Sequence, residues 1–216
     1  MDAIALIEKR HSVRSYLDKP IEEEKRAVLD ALCEDLSKVG NITIKIYYDE
    51  TDAFNSVLTK MRGIRGAKNY IALFGEKGKD EEVGYYGEKV VLKAQELSLN
   101  TCWIAGTFNR YAVKKRTKGE KVYCIIALGY GETQGKERKS KSREELVSVK
   151  GDVPEKFEEG VKAAMLAPTA LNLQNFIIKC EDKKVTIEEN PESMFSKLDL
   201  GIVKCHFEEV TGIKVF

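Results

Sequence analysis

Two short segments, far apart in the chain, carry the residue types best suited to chemistry. Arg10-His11-Ser12-Val13-Arg14 offers two guanidinium forks and a hydroxyl, a donor set that suits a phosphate. Arg10, Ser12 and Arg14 alternate, so an extended backbone turns all three to one side. Each charge-assisted hydrogen bond there would contribute about 1.5–3 kcal/mol. A loop of surface salt bridges has the same composition, so this segment alone leaves both readings open. The second segment is Ala167-Pro168-Thr169-Ala170-Leu171-Asn172-Leu173-Gln174-Asn175-Phe176. It puts small and amide side chains at the end of an apolar helix, which Pro168 stops. Thr169 and Asn172 can present a hydroxyl and an amide to a flat polar ring; a satisfied helix C-terminus is the plainer alternative. Together the segments read as two halves of one cofactor pocket.

Two further stretches could contribute. In Thr101-Cys102-Trp103-Ile104-Ala105-Gly106-Thr107-Phe108, Gly106 lets the backbone approach a ligand closely, although an ordinary helix-ending turn would also contain it. Lys139-Ser140-Lys141-Ser142-Arg143 could complete a phosphate cage or lie solvated at the surface.

The elements that position these residues follow from composition and periodicity. At 216 residues, 43% apolar and 33% charged, the chain suits one well-buried core. A net charge of +1 gives no field that would recruit nucleic acid or an acidic membrane. Met1-Asp2-Ala3 leads directly into a charged amphipathic segment, unlike a secretory leader. No apolar run approaches the ~20 residues of a membrane helix. Cys33, Cys102, Cys124, Cys180 and Cys205 are scattered without a CxxC pair, which suits reduced thiols and a cytoplasmic location. His11 and His206 are the only histidines, and no metal-ligand spacing is present.

Periodicity predicts a short helix to Arg10, and a second opened by Pro20 with acids in its first turn. A strand follows at residues 42–48. Residues 54–66 read as helix then loop, residues 69–75 as a buried strand and residues 81–98 as a long helix. Gly84 and Gly87 inside that helix cost roughly 1 kcal/mol each relative to alanine, and mark close approach of another backbone or a ligand. Residues 101–109 read as a loop, residues 111–116 as a short helix and residues 122–129 as a central strand. Beyond a loop and a turn at 144–149, a helix and a strand at 176–180 repeat the earlier order. A hairpin partner at 185–187, a helix over 192–203 and an extended piece at 206–209 complete the chain. Residues 21–48 and 153–180 thus read as an imperfect internal repeat, suited to a pseudo-symmetric pair.

Several of these stretches, in order along nearly the whole chain, resemble the nitroreductase family of flavoproteins. They are the opening Ile7-Glu8-Lys9-Arg10-His11-Ser12-Val13-Arg14-Ser15-Tyr16, the long helix around Tyr86 to Gln95, and Cys102-Trp103-Ile104-Ala105-Gly106. Ile125-Ile126-Ala127-Leu128-Gly129-Tyr130, the Lys139 tail and Ala167-Pro168-Thr169-Ala170-Leu171-Asn172-Leu173-Gln174 complete the set. The resemblance implies an α+β nitroreductase-like fold with a central, mainly antiparallel sheet flanked by helices. It also implies FMN as cofactor and NAD(P)H as hydride donor, with a nitroaromatic or quinone as acceptor. Arg10, His11, Ser12, Arg14, Lys139 and Lys141 would hold the phosphate and ribityl end. Pro168, Thr169, Ala170 and Asn172 would line the ring. The Gly106 N–H would meet flavin N5, and Arg62 or Arg65 would neutralise the N1–C2 carbonyl edge. Ala105 stands where the family often has an acid.

Family members are typically homodimers with the pocket at the subunit interface, the arginine motif coming from one subunit and the proline–asparagine loop from the other. Here residues 33–41, after the second helix, lack that loop, and it appears in the second repeat. The resemblance therefore implies a fused, single-chain version of the dimer. It would be one domain over residues 1–216, with pseudo-repeat halves of about 1–150 and 151–216. It would bind one FMN, as a monomer or weak homodimer. Three rival readings remain: a flavin enzyme of the same fold with another substrate, dehalogenase-like; a protein that binds or stores FMN without turnover; and a protein with no cofactor at all.

Overall fold

The apolar run at residues 122–128 leaves no polar position to face water, so it forms the middle of a sheet. In the computed structural model it lies in β4 (Lys121–Gly129), between β2 (Asn69–Gly75) and β3 (Asn100–Ile104). β1 (Thr43–Tyr47) pairs with the far side of β2. All three pairings are antiparallel, with Ile71 opposite Ile126 and Cys102 opposite Ala127. The described residues are 2–117 and 119–215.

Two compact units divide the chain. One comprises Arg10–Lys79 and Lys89–Glu137; the other comprises Met1–Lys9, Asp80–Glu88 and Arg138–Phe216. The first holds the four-stranded sheet, α2 (Glu23–Gly40), α3 (Val57–Met61) and α5 (Arg110–Lys114). α2 starts with Glu23 and Glu24 in its first turn and ends at Asn41, whose left-handed backbone donates to the Ser37 carbonyl. That is a common helix stop. The core of this unit gathers Tyr16, Phe54, Tyr70, Phe74, Ile104, Phe108 and Ile125. Tyr70 stacks on Tyr47 at 5.0 Å and meets Phe54 edge-on at 5.8 Å.

The second unit holds α1 (Ala3–Lys9), α6 (Arg143–Leu146), α7 (Phe157–Met165) and α8 (Ser196–Thr211), with a three-stranded sheet. Its central strand β6 (Phe176–Glu181) pairs in parallel with β5 (Val147–Lys150) and antiparallel with β7 (Lys184–Glu189). α4 (Asp80–Glu96) contributes its first half here. α8 is buried at nearly every position from Ser196 to Phe207. Its close approach to α4 needs two glycines. A Cβ at Gly84 would lie 2.0 Å from the Leu198 carbonyl oxygen, and one at Gly201 would lie 2.0 Å from that of Glu81. Gly84 therefore serves helix packing. Between these helices His206 Nε2 meets Glu88 Oε1 at 2.8 Å, with both side chains fully buried.

Several sequence expectations are corrected. Residues 100–104 form an edge strand rather than a loop, because their buried positions complete the sheet beside β4. Only residues 105–109 remain as the connection. Residues 206–209 continue α8 instead of extending. Lys204 and His206 interrupt the apolar periodicity there, yet both are buried with partners: Lys204 with Glu81 at 2.6 Å, and His206 with Glu88. The turn at 144–149 resolves into α6, opened by a Ser142–Glu145 capping box, followed by β5. Among the described residues no helix is long and apolar enough to cross a membrane, and the five cysteines are free and buried.

Candidate functional site

In the sheet-bearing unit the arginine segment is stitched down by its main chain. Ser12 bridges Thr101 of β3 in parallel, and the Val13 N–H donates to the Thr101 carbonyl at 3.0 Å. Two residues on, Ser15 bridges Arg65. The Arg65 N–H donates to the Arg14 carbonyl at 2.8 Å, and the Tyr16 N–H to the Arg65 carbonyl at 3.0 Å. Both neighbouring main-chain bonds are donated in the same way: the Leu17 N–H to the Tyr130 carbonyl at 2.8 Å, and the Glu132 N–H to the Ser15 carbonyl at 2.9 Å. Val13 and Tyr16 anchor the segment in the core, with the Tyr16 hydroxyl donating to the Val13 carbonyl at 2.7 Å. Gly66 is required at this seam: its φ is +69°, and a Cβ would stand 2.2 Å from the Tyr16 carbonyl oxygen.

Arg10, Ser12 and Arg14 all act on the buried Cys102 thiol, Ser12 through a hydrogen bond and the arginines through their charge. Burial pushes the Cys102 thiol up, while the Arg14 and Arg10 guanidiniums and a hydrogen bond from Ser12 pull it back. Arg10 is 5% exposed, Ser12 half-buried and Arg14 exposed. His11 is half-buried beneath Gly135, where a Cβ would approach the His11 Cβ to 2.5 Å. Burial, and secondarily Arg10, lower its pKa, so it offers an uncharged ring at neutral pH.

Ala105 and Gly106 follow β3 directly. Gly106 is exposed, and its N–H donates to no group among the described residues. The connection it belongs to is fixed on both sides. Arg110 donates to the Ala105 and Val122 carbonyls, each at 2.9 Å. The fully buried Thr59 hydroxyl of α3 donates to the Thr107 carbonyl at 2.5 Å. α3 ends at Arg62, and Arg62 and Arg65 are exposed.

In the other unit the structure joins Lys139 and Lys141 to the 167–174 segment. Gln174 is 2% exposed, and its Oε1 accepts the Lys141 N–H at 3.0 Å. The Lys141 ammonium donates to the Gln174 carbonyl at 3.2 Å. The Asn172 amide donates to the Lys139 carbonyl at 2.7 Å. The Thr169 hydroxyl accepts the Gln174 N–H at 3.1 Å. A 3-10 turn at Ala170–Asn172 results, with Leu171, Asn172 and Gln174 at positive φ. Pro168 is buried, Thr169 and Ala170 half-buried, and Asn172 exposed. Beneath the turn, both Asp199 carboxylate oxygens accept the Ala170 N–H, at 3.0 and 2.9 Å.

Sequence reasoning missed Arg110, Gln174 and Asp199 as parts of these clusters. Gln174 lay inside the quoted motif and could have been chosen, since a buried amide needs partners on both sides. Arg110 and Asp199 carry no local signal. Among the described residues no group of three His, Cys, Asp or Glu side chains converges as a metal site.

Residues 2–211 match a protein-family model described as "Putative TM nitroreductase". The fold is similar to that of a putative nitroreductase from Thermotoga maritima MSB8, at TM-score 0.67 and 24% identity, over 97% of this chain and 83% of that one. A putative nitroreductase from Desulfovibrio desulfuricans in complex with FMN superposes at TM-score 0.54 and 18% identity, over 67% of this chain and 94% of that one. An FMN-dependent nitroreductase from Clostridium difficile R20291 does so at TM-score 0.51 and 23% identity, over 66% and 94%. No curated protein matches the chain.

Proposed function

Given that the chain belongs to this nitroreductase family, we propose that it binds FMN and works as an NAD(P)H-dependent oxidoreductase. The observation that carries this reading is that Arg10 and Arg14 act on the Cys102 thiol together with a hydrogen bond from Ser12, on a segment whose backbone is tethered to β3. The donor set fits a phosphate monoester: two cations, a hydroxyl and an uncharged imidazole. The FMN bound by the Desulfovibrio relative supports the same choice.

When bound, the flavin would supply two-electron chemistry between NAD(P)H and an electron-poor acceptor such as a nitroaromatic or quinone. The chain's own residues hold and orient. Arg10, Ser12 and Arg14 grip the phosphate, with His11 donating from its ring. The exposed Gly106 N–H is assigned to the ring N5, with Ala105 beside it, and Arg110 keeps that donor aimed. Arg62 and Arg65 are assigned to the N1–C2 edge, where positive charge stabilises a reduced, anionic ring. Thr169, Ala170 and Asn172, behind the buried Pro168, are assigned to the ring face. No side chain need act as nucleophile or general acid.

The test is the absorption spectrum of purified protein incubated with FMN, followed by anaerobic mixing with NADH or NADPH. A flavin band at one FMN per chain, bleached within seconds, is expected. Protein that takes up no FMN refutes the reading. A band that persists with both nicotinamides identifies a flavin-binding protein without turnover.

A further inference from the structure

Asp199 is an expensive residue for its position. It is 6% exposed on α8, and among the described residues its two oxygens accept one neutral donor, the Ala170 N–H, at 3.0 and 2.9 Å. One N–H shared between two oxygens leaves a carboxylate far from saturated, because an ionised carboxyl can accept about four hydrogen bonds. The charged group that acts on it is Arg138, from the segment that enters this unit; the 167–174 segment brings no charge of its own. Burial pushes the Asp199 carboxyl up to about 7, with the Ala170 N–H and Arg138 pulling the other way. An apolar or amide side chain would cost the fold less. What the carboxylate does achieve is to fix the N–H that opens the Ala170–Asn172 turn.

We propose that Asp199 is the positioning residue of this turn, and that its charge sets how well residues 169–172 present themselves to the flavin ring. The assignment of that turn to the ring rests on the flavin reading above. The charged form accepts Ala170 N–H at both oxygens. The protonated form keeps a weaker acceptor and gains an O–H donor that competes for the same space, so the turn loosens as the carboxyl gains its proton. FMN affinity should then rise with pH through neutrality, and that rise should vanish in Asp199→Asn, which is nearly isosteric but cannot ionise.

The experiment has two arms. In the FMN-free protein, the Ala170 amide shift is followed by NMR from pH 5.5 to 8.5. It is expected to titrate with a midpoint near neutrality in the wild type and to stay flat in Asp199→Asn. FMN binding is then measured at pH 6 and pH 8. The wild type is expected to bind several-fold tighter at pH 8, and the variant equally at both. At pH 8 the variant should also melt at a higher temperature than the wild type, because it buries no charge; a merely structural aspartate would give the opposite. An Ala170 shift that does not titrate overturns the proposal, as does a variant whose FMN affinity keeps the wild-type pH dependence. A titrating Ala170 amide in a protein that binds no FMN at either pH refutes the flavin reading, and with it the ligand assigned to the turn.

Discussion

The arginine segment and the 167–174 turn reach readiness for a ligand by opposite routes. In the first, backbone does the holding: main-chain bonds to Thr101, Arg65, Tyr130 and Glu132 pin residues 12–17. In the second, side chains do the holding. Gln174, Asn172, Thr169 and Asp199 spend their hydrogen bonds on neighbouring backbone, and the product is a shape. A segment built the first way should lose function on side-chain removal while keeping its fold. One built the second way should lose both together when an uncharged holder such as Gln174 is removed. The difference matches the ligand chemistry assigned to each, since a phosphate is recognised by donors and charge, and a flat ring by shape.

The largest test of the contrast is Arg10→Ala with Arg14→Ala. FMN affinity should fall at least about 100-fold, because two charge-assisted contacts of about 1.5–3 kcal/mol each are lost. Melting temperature should change little. A double variant that retains FMN, measured by fluorescence titration, would remove the phosphate assignment.

Second comes Asp199 as a stability element. Its carboxyl titrates near 7 when folded against an ordinary value of 3.8, so between those values the folded chain binds the extra proton. Stability from this group is therefore fully present below about pH 4 and is lost as pH rises to about 7, by up to about 1.4 kcal/mol for each unit of the shift. The difference between wild-type and Asp199→Asn urea midpoints from pH 4.5 to 8 measures it. A flat difference contradicts the placement.

Gln174→Ala follows. It strands the Lys141 N–H and opens a gap under the turn, and should cost about 1–3 kcal/mol in urea unfolding. If that variant keeps full stability, the turn is not held by its side chains and the contrast fails. The smallest effect is expected from Arg110→Ala, which removes two neutral carbonyl acceptors' partner at about 0.5–1.5 kcal/mol per bond. Faster amide exchange confined to residues 105–109 is its signature, and unchanged exchange there would mean that Thr59 alone secures the connection.

Much of the fold is legible in the residues. β2 and β4 announce themselves as unbroken apolar runs, and α2 and α4 by helical spacing with acids in their first turns. β3 is less so, because Asn100, Thr101 and Trp103 are polar or only half-buried, and what makes them a strand is the free edge of β4. The C-terminal half of α8 defeats periodicity for a related reason. From Leu198 to Phe207 the helix is buried all round and carries no polar face, and its lysine and histidine are tolerated by partners on α4.

For the candidate clusters, the sequence by itself determined the donor inventory: two arginines alternating with a serine, a glycine after an apolar strand, a proline that stops a helix before small and amide residues. Side-chain chemistry and backbone permission are local properties, and local order is enough to read them. Tertiary structure alone decided that Arg10, Ser12 and Arg14 share Cys102 as a neighbour, that Arg110 holds the Gly106 connection, and that a carboxylate from α8 closes on Ala170. Those pairings depend on which buried faces meet, and that is settled by packing summed over each whole unit, which no short stretch of chain encodes.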